Sequence, residues 1–288
     1  AVRDFAKPDR IIIGTNSDKA FKLMEELYHP FVLKRDRILR GSPVDAELAK
    51  LYSNTALATR ISMVNEFARV ADNTEQADME IIRKMVCSDN RIGYNFMFPS
   101  PGYGGSCFPK DIQGLVYQSK KNGYVPDLLS KIHPSNEDHK LYIAKRIESI
   151  MGPLKGKKIS IWGLTFKPNT DDMRDSSSIP IVNYLYEKGA EIIAYEPKDK
   201  KAKKIFGNKV NFEKTRYKAA EGADALVLLT EWKEFDSPDF RNLKKLMKGN
   251  ILMDFRNRWL PDVANRYGFS YYGIGRSYPL KIKKKKNN

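Results

Sequence analysis

Hydrophobic residues recur through the first half of the chain at the spacing of an α-helix. From Pro43 to about Ala71 they fall on one helical face, and no glycine or further proline interrupts the pattern: Leu48, Leu51, Leu57, Ile61, Val64 and Phe67. A helix of about 29 residues is long for a globular protein and suits the core or dimer interface of a helical domain. Further helices are predicted over 74–85, 109–121 and 135–150, the last beginning at the polar run Ser135-Asn136-Glu137-Asp138.

The second half alternates short apolar runs with helical stretches. The apolar runs predict strands at 158–163, 190–195, 223–230 and 250–254, and a helix is predicted from Ile179 to Lys188, ended by Gly189. Alternating strands and helices predict a parallel sheet with helices on both faces. The predicted fold class is therefore α/β, with an all-helical domain followed by a parallel-sheet domain that binds ligands at the carboxyl ends of its strands.

A strand at 10–14 and a helix capped by Asn16-Ser17-Asp18 precede these two domains. A strand and a helix at a bare terminus have few neighbours against which to bury apolar surface. We therefore expect them to belong to a domain that begins upstream, and the absence of an initiator Met agrees with this.

The chain is strongly basic, with 51 Lys and Arg against 35 Asp and Glu in 288 residues and a net charge of +16. Five lysines lie between 281 and 286, in a segment that we expect to be a disordered basic tail. A basic protein favours anionic partners such as phosphorylated small molecules, anionic lipid or nucleic acid. The charges are not interleaved with aromatic residues, so nucleic acid is not the expected partner.

The sequence contains neither an apolar run long enough to span a membrane nor a signal peptide at its start. Its two cysteines, Cys87 and Cys107, are too few for a disulfide framework. A cytoplasmic protein without a membrane partner is therefore expected, and the three histidines show no spacing typical of a metal site.

The chemically most informative stretch is the glycine-rich segment from Gly102 to Asp111. Cys107 comes directly before a predicted helix, where the positive end of the helix dipole favours a nucleophilic thiolate. Lys110 adds positive charge, and Asp111 lies four residues on, where its carboxylate could orient a water or move a proton. A buried structural cysteine beside a glycine-rich turn remains the alternative interpretation.

Two further groups of residues point to anionic ligands. Lys50 and Asn54 share one face of the long helix, where a cation and an amide could stabilise an oxyanion, although Lys and Asn are commonplace on a solvated helix face. The segment 163–174 follows the first strand of the sheet domain, where nucleotide-binding sheets keep their phosphate loop. It lacks G-x-G-x-x-G and offers Lys167 and Arg174 as charges instead.

The order and spacing of these motifs resemble the nucleotide-sugar dehydrogenases of the UDP-glucose/GDP-mannose dehydrogenase family. The resemblance rests on 47–54, 91–93, 102–111, 163–174 and 254–257, and it covers nearly the whole chain except the tail. The run Ser106-Cys107-Phe108-Pro109-Lys110-Asp111 resembles both the UDP-glucose and the GDP-mannose enzymes, and the 168–174 run resembles the UDP-glucose branch. Some relatives carry a Lys where this chain has Phe98.

The resemblance implies an NAD-dependent, two-step oxidation of UDP-glucose to UDP-glucuronate. Cys107 would attack the aldehyde to give a thiohemiacetal and then a thioester, which splits one difficult step into easier ones. Lys50 and Asn54 would stabilise the oxyanion, and Asp111 would assist proton transfer. By the same resemblance, Lys110 and Arg174 would meet the phosphates of the cofactor.

The family's substrate contacts map onto ten positions of this chain. Arg91 would reach the substrate across the interface of a homodimer formed through the long helix 43–71. The remaining positions implied for UDP-glucose are Phe96, Met97, Phe98, Pro99, Ser100, Gly104, Phe166, Lys167 and Arg256.

The resemblance also implies a division into four parts. These are a remnant of an N-terminal NAD-binding domain (1–40), a central helical domain for dimerisation and catalysis (41–150), a Rossmann-like UDP-binding domain (151–276) and the basic tail (277–288). Because the family's dinucleotide fingerprint is absent, we expect the chain alone not to reduce NAD. Two alternatives stay open: a GDP-mannose 6-dehydrogenase, and a non-catalytic nucleotide-sugar-binding or dimerisation module.

Overall fold

The long helix predicted from the hydrophobic pattern is continuous from Pro43 to Asp72 in the computed structural model, which describes residues 6–32 and 37–276. The chain forms two compact units, Ala1–Ala56 and Leu57–Asn288. The predicted tail, 277–288, lies outside the described residues.

The first unit contains a small sheet covered on one face. Its elements are β1 (Ile11–Gly14), α1 (Asp18–Tyr28), β2 (Ile38–Gly41) and the start of α2 (Pro43–Asp72). The two strands pair in parallel, and Ile13 and Ile38 point into a core that also contains Val32. Ile12 and Leu39 alternate with them and are exposed, so this unit buries only one side of its sheet.

The helical part of the second unit confirms the predicted class but moves two helix starts. Its helices are the rest of α2, α3 (Met79–Cys87), α4 (Phe108–Lys121) and α5 (Asp127–Met151). α3 begins five residues later than predicted, because Asp78 and not Thr74 caps it by accepting from the backbone N–H groups of Glu80 and Ile81.

The predicted start of α5 at Ser135 is wrong, since the helix begins at Asp127 and includes Pro134. The polar side chains that look like a cap make tertiary contacts instead. Ser135 donates to the Glu66 carboxylate at 2.8 Å, and Asn136 binds the backbone of Tyr103. Pro134 lacks only the one N–H that would bond the carbonyl four residues earlier, and the helix continues through it.

The sheet domain is a parallel sheet, as predicted, but it has six strands where the sequence pattern predicts four; the strands at Asn211–Phe212 and Ser270–Gly273 were missed. From one edge of the sheet to the other, the strands are those at 211–212, 191–195, 158–162, 225–228, 251–254 and 270–273. The elements are β3 (Lys158–Trp162), α6 (Ser178–Glu187), β4 (Glu191–Tyr195), α7 (Lys200–Phe206), β5 (Asn211–Phe212), α8 (Arg216–Ala220), β6 (Ala225–Leu228), α9 (Phe240–Leu246), β7 (Ile251–Asp254), α10 (Pro261–Arg266) and β8 (Ser270–Gly273). Leu228 pairs with both Trp162 and Asp254, so β3, β6 and β7 end level with one another.

The residues after β8 join the sheet to the helices. Gly275 donates its N–H to Asp72 at 2.9 Å, and its carbonyl accepts from the N–H of Met79 at 2.8 Å. Arg146 pairs with the same Asp72 carboxylate at 2.6 Å. A side chain would not fit at Gly275, because an added Cβ would lie 2.5 Å from the Cβ of Met79 and the backbone φ is +67°. Across the described ranges, every helix is too short or too polar to cross a bilayer.

Candidate active site

Cys107 lies at the beginning of α4, as the sequence predicts. It is the N-cap residue of that helix, its thiol is free and exposed, and its carbonyl accepts from the N–H of Asp111 at 3.0 Å. The unpaired N–H groups of the first helical turn and the helix dipole both face this position. An exposed thiol at the positive end of a helix suits a nucleophile better than a packing residue.

Two cations lie within electrostatic range of this thiol, and a buried carboxylate follows it in the first turn of α4. Asp111 is buried and binds the Lys110 ammonium at 2.9 Å, and this contact is the main cause of the raised pKa of Lys110. Arg174 pairs with Asp172 at 2.6 Å, and its pKa is raised chiefly by that carboxylate. Coulombic interaction with Cys107 contributes to the raised pKa of both cations, so Lys110 and Arg174 lie within electrostatic range of the thiol.

The glycine-rich loop before Cys107 packs directly against the segment 166–175. Gly105 donates its N–H to the carbonyl of Arg174 at 2.7 Å, and its Cα lies against the Phe166 ring. At Gly104 there is no room for a side chain, because an added Cβ would overlap the Asp175 carbonyl oxygen. Phe166 in turn lies under the Lys167 ammonium, 5.3 Å from the ring centroid. The structure therefore brings Phe166 and Arg174 to the loop that contains Gly104 and precedes Cys107.

A cavity of about 400 Å³ lies between the helical part and the carboxyl end of the sheet. Five of the predicted substrate residues line it, together with three others: Phe96, Phe98, Pro99, Ser100 and Arg256, with Ile61, Glu231 and Arg258. One wall is aromatic and apolar, and the other carries two guanidinium groups. Such a combination suits a ligand with a flat ring and a phosphate.

The aromatic wall is fixed by buried polar groups. Asn65 accepts from the N–H of Ser100 at 2.9 Å, and His139 lies 2.9 Å from the carbonyl of the same residue. Burial lowers the pKa of His139 to about 4, so a neutral ring donates from Nε2 to that carbonyl. Phe96 has a φ of +59°, a strained conformation for a non-glycine residue that is typical of ligand sites.

A second group of residues contacts the face of the Phe98 ring and connects it to the opposite wall of the cavity. The buried guanidinium of Arg83 lies 4.4 Å from the centroid of the Phe98 ring, a cation–π contact. Glu80 binds Arg83 at 2.8 Å and lies 3.4 Å from the amide nitrogen of Asn257. Asn257 follows Arg256 directly, so these contacts connect the two walls of the cavity.

Asp254 shapes the turn that carries the two guanidinium groups. Its carboxylate is fully buried and accepts from the N–H of Arg256 at 3.0 Å, the N–H of Trp259 at 2.7 Å and the Tyr271 hydroxyl at 3.1 Å. Burial raises the pKa of Asp254 to about 6. Arg256 itself donates to the carbonyl of Leu229 at 2.6 Å and pairs with Glu231 at 2.9 Å.

Two sequence profiles of one family match the chain and together cover more than half of it. Residues 44–138 match the "UDP-glucose/GDP-mannose dehydrogenase family, central domain", and residues 160–261 match the "UDP binding domain" of the same family. The chain belongs to the UDP-glucose/GDP-mannose dehydrogenase family.

Curated relatives and solved structures agree with this membership. The chain is 37% identical to a UDP-glucose 6-dehydrogenase of Pseudomonas aeruginosa, over 96% of this chain and 62% of the relative. It is also 37% identical to one from Rhizobium meliloti, over 96% of this chain and 64% of the relative. The chain thus spans about three fifths of the length of these relatives. A UDP-glucose dehydrogenase from Pyrobaculum islandicum superimposes with a TM-score of 0.85 at 28% identity, over 96% of this chain and 61% of that one.

The remaining residues implied by the family resemblance lie outside the cavity. The Met97 side chain is buried in the core, Arg91 is exposed and pairs with Asp89 at 2.7 Å, and Lys50 and Asn54 belong to the first unit. There they line a separate cavity of about 510 Å³ together with Pro8, Asp9, Arg10, Ile12, Ala46 and Ser53. Their roles in this family member stay predictions.

Sequence reasoning missed Glu231 and Arg258, although a signal for both was present. Glu231 follows β6 and Arg258 follows β7, at the edge where parallel sheets bind ligands.

Glu196, which follows β4, closes the loop after β3 by accepting from the N–H groups of Leu164 at 2.7 Å and Thr165 at 3.1 Å. In dinucleotide-binding sheets those loop amides would face the pyrophosphate.

Proposed function

We propose that this chain carries the substrate-binding and covalent-catalysis part of a UDP-glucose 6-dehydrogenase, which oxidises UDP-glucose to UDP-glucuronate. The observation that carries the proposal is the exposed Cys107 thiol at the start of α4, with Lys110 and Arg174 within electrostatic range. Family membership and the 37% identity to UDP-glucose 6-dehydrogenases support the choice of reaction and of substrate.

The cavity between Phe98 and Arg256 is proposed to bind the UDP part. Its aromatic wall offers a stacking face for the base, and the guanidinium groups of Arg256 and Arg258 offer charge-assisted hydrogen bonds to the diphosphate. Glu231, which neutralises Arg256 at 2.9 Å, would give up that contact as the diphosphate enters. Binding therefore exchanges an internal ion pair for contacts with the ligand.

The proposed chemistry uses Cys107 as a covalent catalyst. The thiolate adds to the C6 aldehyde, a sulfur–carbon bond forms, and the carbonyl oxygen takes a proton to give a thiohemiacetal. Loss of a hydride and a proton leaves a thioester, and water then releases the carboxylate and restores the thiol. Lys50 and Asn54 would stabilise the oxyanion, and Asp111, which Lys110 holds at 2.9 Å, would orient the water.

NAD, when bound, accepts the hydride in both oxidations. The residues that fit its phosphates are Lys110 and Arg174, whose side chains are about two thirds exposed beside Cys107. The loop after β3 does not fit a dinucleotide, because its amides already bind Glu196. A working Cys107 also needs a reduced thiol, which agrees with a cytoplasmic location.

A homodimer through α2 is part of the proposal. Met63, Phe67 and Val70 follow one another along α2 at helical spacing and are exposed, as are Ile81 and Met85 on α3. An exposed apolar stripe of this kind is typical of a protein interface. Light scattering at micromolar concentration is expected to give a dimer, and a monomer would contradict this part of the proposal.

The test of the function compares ligands by isothermal titration calorimetry. The 288-residue chain is titrated with UDP-glucose, with its C6 aldehyde and with GDP-mannose. We expect UDP-glucose to bind more tightly than GDP-mannose, and the aldehyde to bind more tightly than UDP-glucose because it also reacts with Cys107. Cys107→Ser is the control, and it should remove only the preference for the aldehyde. A preference for GDP-mannose would instead favour the GDP-mannose branch of the family.

A further inference from the structure

One buried charge near Cys107 has no place in the chemistry described so far. Lys140, in α5, is 1% exposed and is among the largest fully buried side chains. Its ammonium donates to the Glu137 carboxylate at 2.7 Å and to the backbone carbonyl of Asp175 at 3.1 Å. Burying an ammonium costs several kcal/mol, so its partners must hold it in a defined geometry.

The first partner connects Lys140 to one side of the cysteine loop. The Glu137 oxygen that binds Lys140 also accepts from the amide of Asn136 at 3.1 Å. Asn136 is buried and holds both backbone polar groups of Tyr103, accepting from its N–H at 2.8 Å and donating to its carbonyl at 3.1 Å. Lys140 thus orients the Glu137 carboxylate, which in turn orients the Asn136 amide. That amide fixes the backbone of Tyr103, four residues before Cys107.

The second partner connects Lys140 to the opposite side of the same loop. Asp175 has a φ of +50°, which is strained for a residue with a side chain. Its carbonyl oxygen, which Lys140 holds, is the atom against which Gly104 packs. Ser177, two residues on, donates to the carbonyl of Gly102 at 3.0 Å. The segment that begins with Asp175 therefore forms a wall for the loop, and the ammonium keeps that wall in place.

We propose that Lys140 is a positioning residue for Cys107. Its ammonium joins the two sides of the loop Gly102–Gly105. In this way it determines the position of the Cys107 sulfur relative to the substrate aldehyde. Lys140 touches neither ligand nor thiol, and its effect passes through Asn136, Glu137 and Asp175. The inference rests on the proposed function, because it assumes that Cys107 adds to a C6 aldehyde.

The distinguishing measurement is a ratio of two affinities. UDP-glucose and its C6 aldehyde share every contact with the cavity, and only the aldehyde forms a covalent bond to Cys107. The ratio of their dissociation constants therefore reports the placement of the thiol, and a purely structural role of Lys140 would not change it. Misplacing reacting groups by about 1 Å can cost about 100-fold in reactivity. A loosened loop is therefore expected to lower the ratio of the UDP-glucose dissociation constant to the aldehyde dissociation constant.

The test uses Lys140→Met in the full chain, which keeps the length of the side chain and removes the ammonium. Lys145→Met, at an exposed position of the same helix, is the matched control. We expect Lys140→Met to lose about 10-fold or more of the aldehyde preference, while its affinity for UDP-glucose stays within about 2-fold of wild type. Lys145→Met is expected to match wild type in both.

The outcomes separate the two proposals. In the first outcome, wild type prefers the aldehyde, Cys107→Ser loses this preference and Lys140→Met keeps it. The positioning role of Lys140 is then refuted, and the proposed covalent function stands. If wild type and Cys107→Ser bind the aldehyde equally, the proposed covalent function fails first. If Lys140→Met does not fold, Glu137→Gln replaces it, because Glu137 is nearly half exposed and the glutamine amide keeps a hydrogen-bond acceptor for the ammonium while removing the charge that orients it. An unchanged aldehyde preference in Glu137→Gln would then refute the proposal.

Discussion

Replacing Gly104 with alanine should disturb the cysteine loop, whereas the same change at Gly114 should not. At Gly104 the new Cβ would overlap the Asp175 carbonyl oxygen and lie 2.7 Å from its carbonyl carbon, where ordinary contacts begin at 3.4 Å. One backbone segment must therefore move by about 1 Å, and neither can yield as a flexible side chain does. At Gly114, in the middle of α4, the new methyl meets nothing within 4 Å.

The structure gives the size of each effect. Overpacking of this kind costs about 1–3 kcal/mol, which lowers the melting temperature by about 3–10 °C for a unit of this size. Gly114→Ala should instead raise the free energy of unfolding by about 0.5–1 kcal/mol, because alanine has less conformational freedom to lose in a helix. Loop displacement in Gly104→Ala should also remove about 10-fold or more of the preference for the substrate aldehyde.

Thermal denaturation and the paired titrations with UDP-glucose and its aldehyde measure both effects on the same preparations. The comparison with Gly114→Ala removes the general effect of exchanging glycine for alanine. If Gly104→Ala melts at or above the wild-type temperature and keeps its aldehyde preference, the close packing of Gly104 on Asp175 does not position Cys107, and the reasoning about the loop is refuted.

Three further outcomes follow from the contacts described above. The pKa of His139 is about 4 in the folded protein and about 6.5 in the unfolded chain. Its contribution to stability is therefore complete above pH 6.5, and about 3 kcal/mol of it is lost as the pH falls towards 4. Between pH 7 and 4 the free energy of unfolding should fall more in wild type than in His139→Gln, and parallel pH curves would contradict this. Gly275→Ala, with its Cβ 2.5 Å from that of Met79 and a φ of +67°, should cost about 2–4 kcal/mol in urea denaturation, and a loss below about 1 kcal/mol would show that the junction adapts. Arg83→Met removes the cation from beneath Phe98 and should weaken UDP-glucose binding about 5-fold in calorimetry, with unchanged affinity as the contrary result.

The periodic spacing of hydrophobic residues was sufficient to predict the order of helical and sheet domains. The uninterrupted helical spacing after Pro43 predicts α2 within one residue, and the alternation of apolar strands with helices predicts the parallel sheet. The start of α5 could not be found in this way, because Ser135 and Asn136 have the composition of a helix cap but form contacts with distant residues. Local composition does not distinguish these two uses of a short polar side chain.

The site was predictable only where the chemistry lies within one segment. Cys107, Lys110 and Asp111 are consecutive or nearly so, and the position of a cysteine before a helix predicts its environment. The second wall of the cavity depends on strand register, since Glu231 and Arg258 line the same cavity because β6 and β7 end level. Lys140 resembles any surface lysine in the sequence, and its burial follows from the packing of α5 against segments on both sides of it.

The hydrogen bond between Gly275 and Asp72 joins residues 203 positions apart. On the ribosome, Asp72, Met79 and Arg146 are all synthesised well before the carbonyl and N–H of Gly275 exist to complete their contacts. The helices before the sheet therefore leave the ribosome with this junction open, and their final packing waits for almost the whole described chain. Contacts of such long sequence separation slow folding. We expect the junction to form last, and nascent chains that end before 275 to be the most susceptible to protease at 72–79.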